Sequence, residues 1–381
     1  MDNKQHAGMM ERRRFLKLAS MGALGASAMA ACSSGDPDLD QAVSEQSLPE
    51  IDWELATSWS SSDTIYTGAT RFADRVSAMT GGRFMITARP AGEVVGAMEI
   101  LQNVEDGSID AGHTASHYYV NLDPTTAFGT TMPFGLNARQ QNAWLYEGGG
   151  LELMQEFYAD RFEAIQFPAG NTGALMGGWF KREVSSLTDL EGLIMRISGL
   201  GGQVMAALGA SVRSIPGDEI VSALEAGTIE AAEWVGPHDD TALGLHEVAE
   251  LYYYPGWWAP GMSLEIQIPL PKWDALPDVY QEVIKTAAHE VNSTMLASYD
   301  VLNARAFQQL LNNSEVQVLP YPDDVLEAAV QATGDIVATY AADSTDFASV
   351  HEHWSSFRDT IQPWFAVAET SYLDFIAASL G

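Results

Sequence analysis

Two histidines four residues apart, His113 and His117, form the first pair in this sequence whose types and spacing suit a metal. The pair falls where a strand is expected to run into a loop. Without a helix beneath them, side chains four apart do not share a face, so ordinary polar roles are the better reading. The adjacent acids Asp239-Asp240 offer general acid–base chemistry, but no nucleophile stands beside them and they read as a solvated loop. His351 and His353 also read as solvated. Gly199-Leu200-Gly201-Gly202 opens a helix directly after a strand, as a dinucleotide-binding turn does. The third glycine position is Val204, which would crowd the helix–strand packing that such a turn needs. What survives is a tight turn with free N–H groups able to attract a carboxylate. Phosphate-loop, H-E-x-x-H, EF-hand and G-x-S-x-G motifs are absent from the sequence. No catalytic constellation emerges, and the expectation is a protein that is not an enzyme.

The elements that would position a site show as an internal repeat. Glu99–Ala115 (EILQNVEDGSIDAGHTA) and Glu219–Val235 (EIVSALEAGTIEAAEWV) align without gaps, sharing Glu, Ile, Glu, Gly, Ile and Ala. Each reads as a helix closed near Gly107 or Gly227 and followed at once by a short strand. Around the first copy, Trp53–Thr57, Phe84–Ala88 and Ile109–His113 read as strands. Ile65, Ala69, Phe72, Val76 and Met79 fall on one helical face, which Gly81-Gly82 ends. Around the second, strands are expected at Leu193–Ile197 and Ser211–Ile215, with Leu200, Val204 and Leu208 turned inward on the helix between them. Alternating strands and helices imply two α/β lobes with mostly parallel sheets, and ligands bind such sheets beyond the strand C-termini. The repeat therefore sets His113-Thr114 and Glu233-Trp234 at equivalent strand ends, facing across a cleft. Residues 278–313, free of Gly and Pro, read as one long helix that braces both lobes or reaches a partner. The tail beyond His353 reads as helical and apolar, with Pro363 expected to break it.

Composition limits the partners. The 381 residues carry 51 acidic and 19 basic side chains, a formal charge of −32. That balance argues against nucleic acid and anionic lipid, while 46% hydrophobic residues argue for a packed core. One cysteine excludes an intramolecular disulfide. Arg12-Arg13-Arg14-Phe15-Leu16-Lys17, then the weakly hydrophobic run Leu18–Ala31, reads as a twin-arginine export signal over residues 1–31. Met29-Ala30-Ala31-Cys32 resembles a lipobox, and Ala28-Met29-Ala30 an ordinary cleavage site, so a chain lipid-anchored at Cys32 and a free periplasmic one both stand. Residues 32–50 read as a flexible tether.

Further stretches carry a resemblance: Pro133-Phe134-Gly135, GNTGALMGGWF (Gly170–Phe180), GLIMRISG around Arg196, AAEWVGP (Ala231–Pro237) and YYYPGWW (Tyr252–Trp258). Through these the mature chain resembles the substrate-binding subunit of tripartite ATP-independent periplasmic (TRAP) transporters, the DctP family. It looks closest to the subgroup that binds alpha-keto acids. The resemblance implies an α/β, two-lobe periplasmic-binding-protein fold of type II-like build. Residues 51–155 would form mostly the first lobe, with later segments returning to it, and 156–275 mostly the second. Residues 276–381 would supply the long helix, a return strand and C-terminal helices. It implies a periplasmic receptor that closes on a small monocarboxylate, keto or hydroxy acid, delivers it to a membrane permease, and can form a homodimer through its C-terminal helices. A sulfonate, amino acid or compatible solute on the same fold, or a signalling role, is the alternative.

By the same resemblance Arg196 pairs with the substrate carboxylate, a task suited to a planar guanidinium with two parallel donors. Asn171, Trp234, Glu233, Leu175 and Tyr118 join it as candidate substrate contacts; Trp179 and Trp258 are candidate walls, and Tyr119 is a candidate from the opposite side. The subgroup's metal would sit on Glu233, Trp234 and two further donors. Here Leu175 and Ala259 stand at those two positions, too few oxygens for a hard cation. The expectation is therefore no cofactor, with sodium or calcium doubted.

Overall fold

The computed structural model describes residues 48–312 and 315–380; the expected export signal, Cys32 and most of the expected tether lie outside them. Two sheets form the frame. The first has strands β1 (Ile51–Thr57), β2 (Phe84–Arg89), β3 (Ala111–Thr114), β4 (Ala164–Asn171) and β10 (Ser263–Pro269), in the order β2-β1-β3-β10-β4. The second has β5 (Trp179–Phe180), β6 (Ile194–Arg196), β7 (Ser211–Arg213), β8 (Ala231–Ala232), β9 (Leu251–Tyr254) and β11 (Gln317–Pro320), in the order β11-β9-β5-β8-β6-β7. The orders correspond: β2-β1-β3 matches β7-β6-β8, and each sheet holds one strand antiparallel to both neighbours, β10 in the first and β5 in the second. Residues 164–171 and 263–269, within the span expected for the second lobe, pair in the first sheet instead. The chain thus crosses between lobes after β4, again after β9, and a third time between β10 and β11.

The repeat is realised atom for atom at its turns. Helices Ile100–Glu105 and Ile220–Glu225 end at Gly107 (φ 72°) and Gly227 (φ 69°), a left-handed conformation glycine adopts without strain. Gly107 and Gly227 N–H then donate to Val104 and Leu224, and Ser108 and Thr228 N–H to Asn103 and Ala223. The helix Thr67–Met79 buries Ala69, Phe72 and Val76 against the first sheet, as its periodicity predicts.

A single helix, Asp278–Leu311, spans about 51 Å at 1.5 Å per residue. Its Tyr280, Ile284 and Val291 pack with Phe72 and Phe84 in the first lobe, and its Met295, Tyr299 and Leu310 with Trp179 and Tyr252 in the second. It braces both lobes. Pro363 does not end the helix Thr345–Phe365, contrary to expectation; the backbone continues through a π-helical turn, Ala366–Thr370, into Ser371–Leu380. Proline deprives only the Asp359 carbonyl of its donor, and Asp359 is exposed, so water can serve it.

Candidate functional site

Arg196 ends β6, flanked by the ends of β7 and β8, and only 1% of it is exposed. Its Nε donates to the Ile215 carbonyl (3.1 Å), and its Nη1 to the Glu233 carbonyl (2.9 Å) and to Glu233 Oε1 (2.5 Å). The Trp234 ring lies 5.4 Å from the guanidinium carbon. Nη2 is buried and has no partner in the protein. Burial pushes the Glu233 carboxyl up, and Arg196 partly offsets this. Both charges are out of water, where each relies on the other.

Beside this pair lies a narrow, partly open interlobe cavity. His117, Thr131 and Pro133 line it from the first lobe; Ser198, Gly199, Leu200, Gly201 and Glu233 line it from the second. Leu175, Trp258, Ala259 and Met262 close it from the crossovers between β4 and β5 and between β9 and β10. The helix Gly199–Ala207 opens on the cavity with its first turn, whose N–H groups have no intrahelical acceptors. Glycine is required here: a Cβ on Gly199, at φ 68°, would sit 3.1 Å from the His117 Cβ, and one on Gly201 2.6 Å from the Trp258 Cβ.

Of the residues singled out from sequence, His117, Glu233, Leu175, Trp258 and Ala259 line this cavity, Leu175 N–H donating to the Ala259 carbonyl, while Arg196 lies behind Glu233 and off the wall. Trp234 backs Arg196 and packs on Gly217. Tyr118 stands near Arg196 and Glu233; burial pushes its phenol up to about 12, with Arg196 partly offsetting the rise. Asn171 sits at the end of β4, where its Oδ1 accepts from Gly173 N–H while Nδ2 is buried without a partner; it is not on the cavity wall. Tyr119 bonds Thr114 Oγ1 within the first-lobe core.

Several readings are corrected. His113 does not face Glu233-Trp234: it turns into the first lobe, bonded to Trp59 Nε1 (2.8 Å) and near the Ala169 carbonyl (3.0 Å). Trp179 walls no cleft but stacks on Tyr252 at 4.0 Å in the second-lobe core. Asp239-Asp240 is no solvated loop. Asp240 accepts from Trp179 Nε1, Tyr252 OH and Val235 N–H, and Asp239 from Tyr299 OH. His351 is half-buried, stacked between Phe347 and Trp354, whereas His353 is exposed as expected and accepts from Trp144 Nε1 (3.1 Å). Thr131 emerges only in three dimensions, marked by no sequence motif, and His117, read from sequence as an ordinary polar residue, proves to line the cavity.

The comparisons agree with this architecture. A monocarboxylate 2-oxoacid-binding periplasmic protein of Nostoc sp. is 47% identical over 370 residues, covering 97% of this chain and all of that protein. A TRAP transporter solute-binding protein from Bordetella bronchiseptica, crystallised with calcium and picolinate, is 38% identical with a TM-score of 0.85, over 87% of this chain and 98% of that one. One from Pseudoalteromonas atlantica, with sodium and pyruvate, is 35% identical with a TM-score of 0.82, over 85% and 99%. Residues 55–343 match the description "Bacterial extracellular solute-binding protein, family 7". That match spans both sheets and the cavity between them, and on it the chain belongs to the DctP family of bacterial extracellular solute-binding proteins.

Proposed function

We propose that this protein is the extracytoplasmic receptor of a TRAP-type secondary transporter, a periplasmic carrier that holds a small 2-oxo or 2-hydroxy monocarboxylate between its lobes and hands it to a membrane permease. The carrying observation is Arg196: a buried guanidinium behind Glu233, which lines a narrow, partly open cavity, with Nη2 unpartnered. A carboxylate there would accept from Nη2 and from the first-turn amides of Gly199–Ala207, a charge-assisted arrangement favoured further by the helix dipole. The Ile215 and Glu233 carbonyls and the Trp234 ring hold the guanidinium in place, and closing the lobes over the acid would shift the population from open to closed forms. We read this as binding without catalysis. Export by the twin-arginine route, lipid attachment at Cys32 and pairing of two copies through the C-terminal helices belong to the same reading.

The residues present do not fit a metal. Among the described residues no group of three or more His, Cys, Asp or Glu could hold one. The cavity's one carboxylate, Glu233, is engaged by Arg196, and Leu175 and Ala259 offer hydrocarbon there. A hard cation wants about six oxygens. We infer that the acid is held directly, although relatives carry sodium or calcium with theirs.

Calorimetric titration of the protein with pyruvate tests both parts. Binding should persist in a chelator, and Arg196→Met should weaken it about a hundredfold or more. Undiminished binding in Arg196→Met would sink the anchor, and affinity that vanished in chelator and returned with calcium would sink metal-free binding.

A further inference from the structure

Resting on that reading, we propose that His117, Thr131 and Trp258 form a polar subsite that receives an oxygen on the ligand's second carbon, making a 2-oxo or 2-hydroxy group a condition of tight binding. The three side chains reach one cavity from different parts of the chain. His117 lies on the turn Ser116–Tyr119 after β3, Thr131 caps the short helix Ala127–Thr130, and Trp258 precedes β10. Each has a buried polar atom with no partner in the protein: His117 Nδ1, Thr131 Oγ1 and Trp258 Nε1. Buried polar atoms left unpaired are uncommon and costly, and three around one small cavity imply a ligand that pairs with them.

The chemistry of the set narrows that ligand. An indole N–H only donates, a threonine hydroxyl donates or accepts, and a neutral imidazole Nδ1 does either according to tautomer. A carbonyl oxygen accepts from Trp258 and Thr131. A hydroxyl oxygen accepts from the same two and donates its own O–H to His117 Nδ1. A methylene at that carbon satisfies none of them. Burial, with Arg196 nearby, pushes His117 down to about 3, so it stays neutral and does not compete with Arg196 for the carboxylate. Leu175 and Ala259 offer no polar side-chain atom and suit the hydrocarbon beyond the second carbon.

The test compares 2-oxobutyrate, 2-hydroxybutyrate and butyrate by titration calorimetry on the whole protein. The native chain should prefer the first two over butyrate by about a hundredfold or more, as sites built to bond an oxygen reject analogues lacking it. In Trp258→Phe and in Thr131→Val that preference should fall at least tenfold. Because the readout is a ratio within one variant, Thr131→Val decides the matter alone if Trp258→Phe does not fold. Arg196→Met should weaken all three acids together, so failure of the carboxylate anchor is distinguishable from failure of this subsite. A native chain that bound butyrate as tightly as 2-oxobutyrate, or a preference left intact by the substitutions, would overturn the proposal.

Discussion

Arg196 and Glu233 share a buried hydrogen bond, so an incoming carboxylate meets a cation whose charge is already partly matched. The ligand's negative charge, placed on the same guanidinium, must raise the Glu233 pKa further, above a value that burial has already raised. Binding then takes up a proton. By linkage, affinity for the acid falls as pH rises through the Glu233 titration, because the liganded state holds that proton more tightly. His117, held neutral by burial, and Tyr118, raised to about 12, do not change charge in that window. Glu233→Gln should flatten the slope, leaving affinity at neutral pH equal to or tighter than in the native chain; titrations at several pH values in buffers of different ionisation heat measure it. A slope unchanged in Glu233→Gln would place the proton elsewhere. Sequence alone reached Arg196, Glu233 and Leu175 through motif runs, because their neighbours are diagnostic. It missed Thr131 and misread Asp239-Asp240. Asp240's partners Trp179 and Tyr252 sit 61 and 12 residues away, so nothing local distinguishes a satisfied buried acid from a solvated one.

The helix Gly199–Ala207 works as an element only because its first turn approaches the wall so closely. Gly201 is the contact that sets the distance, its added Cβ falling 2.6 Å from the Trp258 Cβ. Gly201→Ala must therefore displace the indole or the helix, and should lower stability by about 1–3 kcal/mol while weakening ligand binding at least tenfold. Gly227→Ala makes the contrast: its φ of 69° strains a side chain, but no atom lies near the new Cβ. It should cost about 1 kcal/mol and leave affinity as it was. Denaturation and titration on both variants check the pair; equal effects on binding would show that Gly201 acts through stability alone. The helices and parallel strands here were legible because periodicity and glycine stops are local signals. The antiparallel strands were not. β5 is two residues long and β10 returns from the far side of the second lobe, so their pairing depends on where the chain crosses, which no local pattern states.

At the scale of the molecule, exposed large apolar side chains are scattered singly over the described residues, but the five most exposed of them gather on the last helical segment. Trp364, Val367, Tyr372, Leu373 and Phe375 are each 61–72% exposed. Exposed apolar groups gathered on one segment mark an interaction surface, and the segment is held out by Arg139, which pairs with Glu369 and lies over Phe365. Against association stands the charge: two chains at −32 repel each other. That repulsion is long-ranged and screened within about 8 Å at physiological ionic strength, whereas burial of apolar surface is not weakened by salt. Self-association through this tail should therefore strengthen as salt is raised, the opposite of an assembly held by ion pairs. Removing residues 364–381 should abolish it and leave the acid's affinity intact, since the cavity lies among residues 117–262. Sedimentation of both chains at low and high salt, with titration alongside, reads both quantities. A truncated chain that still paired would move the interface to another face, and one that lost its ligand would make the tail part of the binding fold.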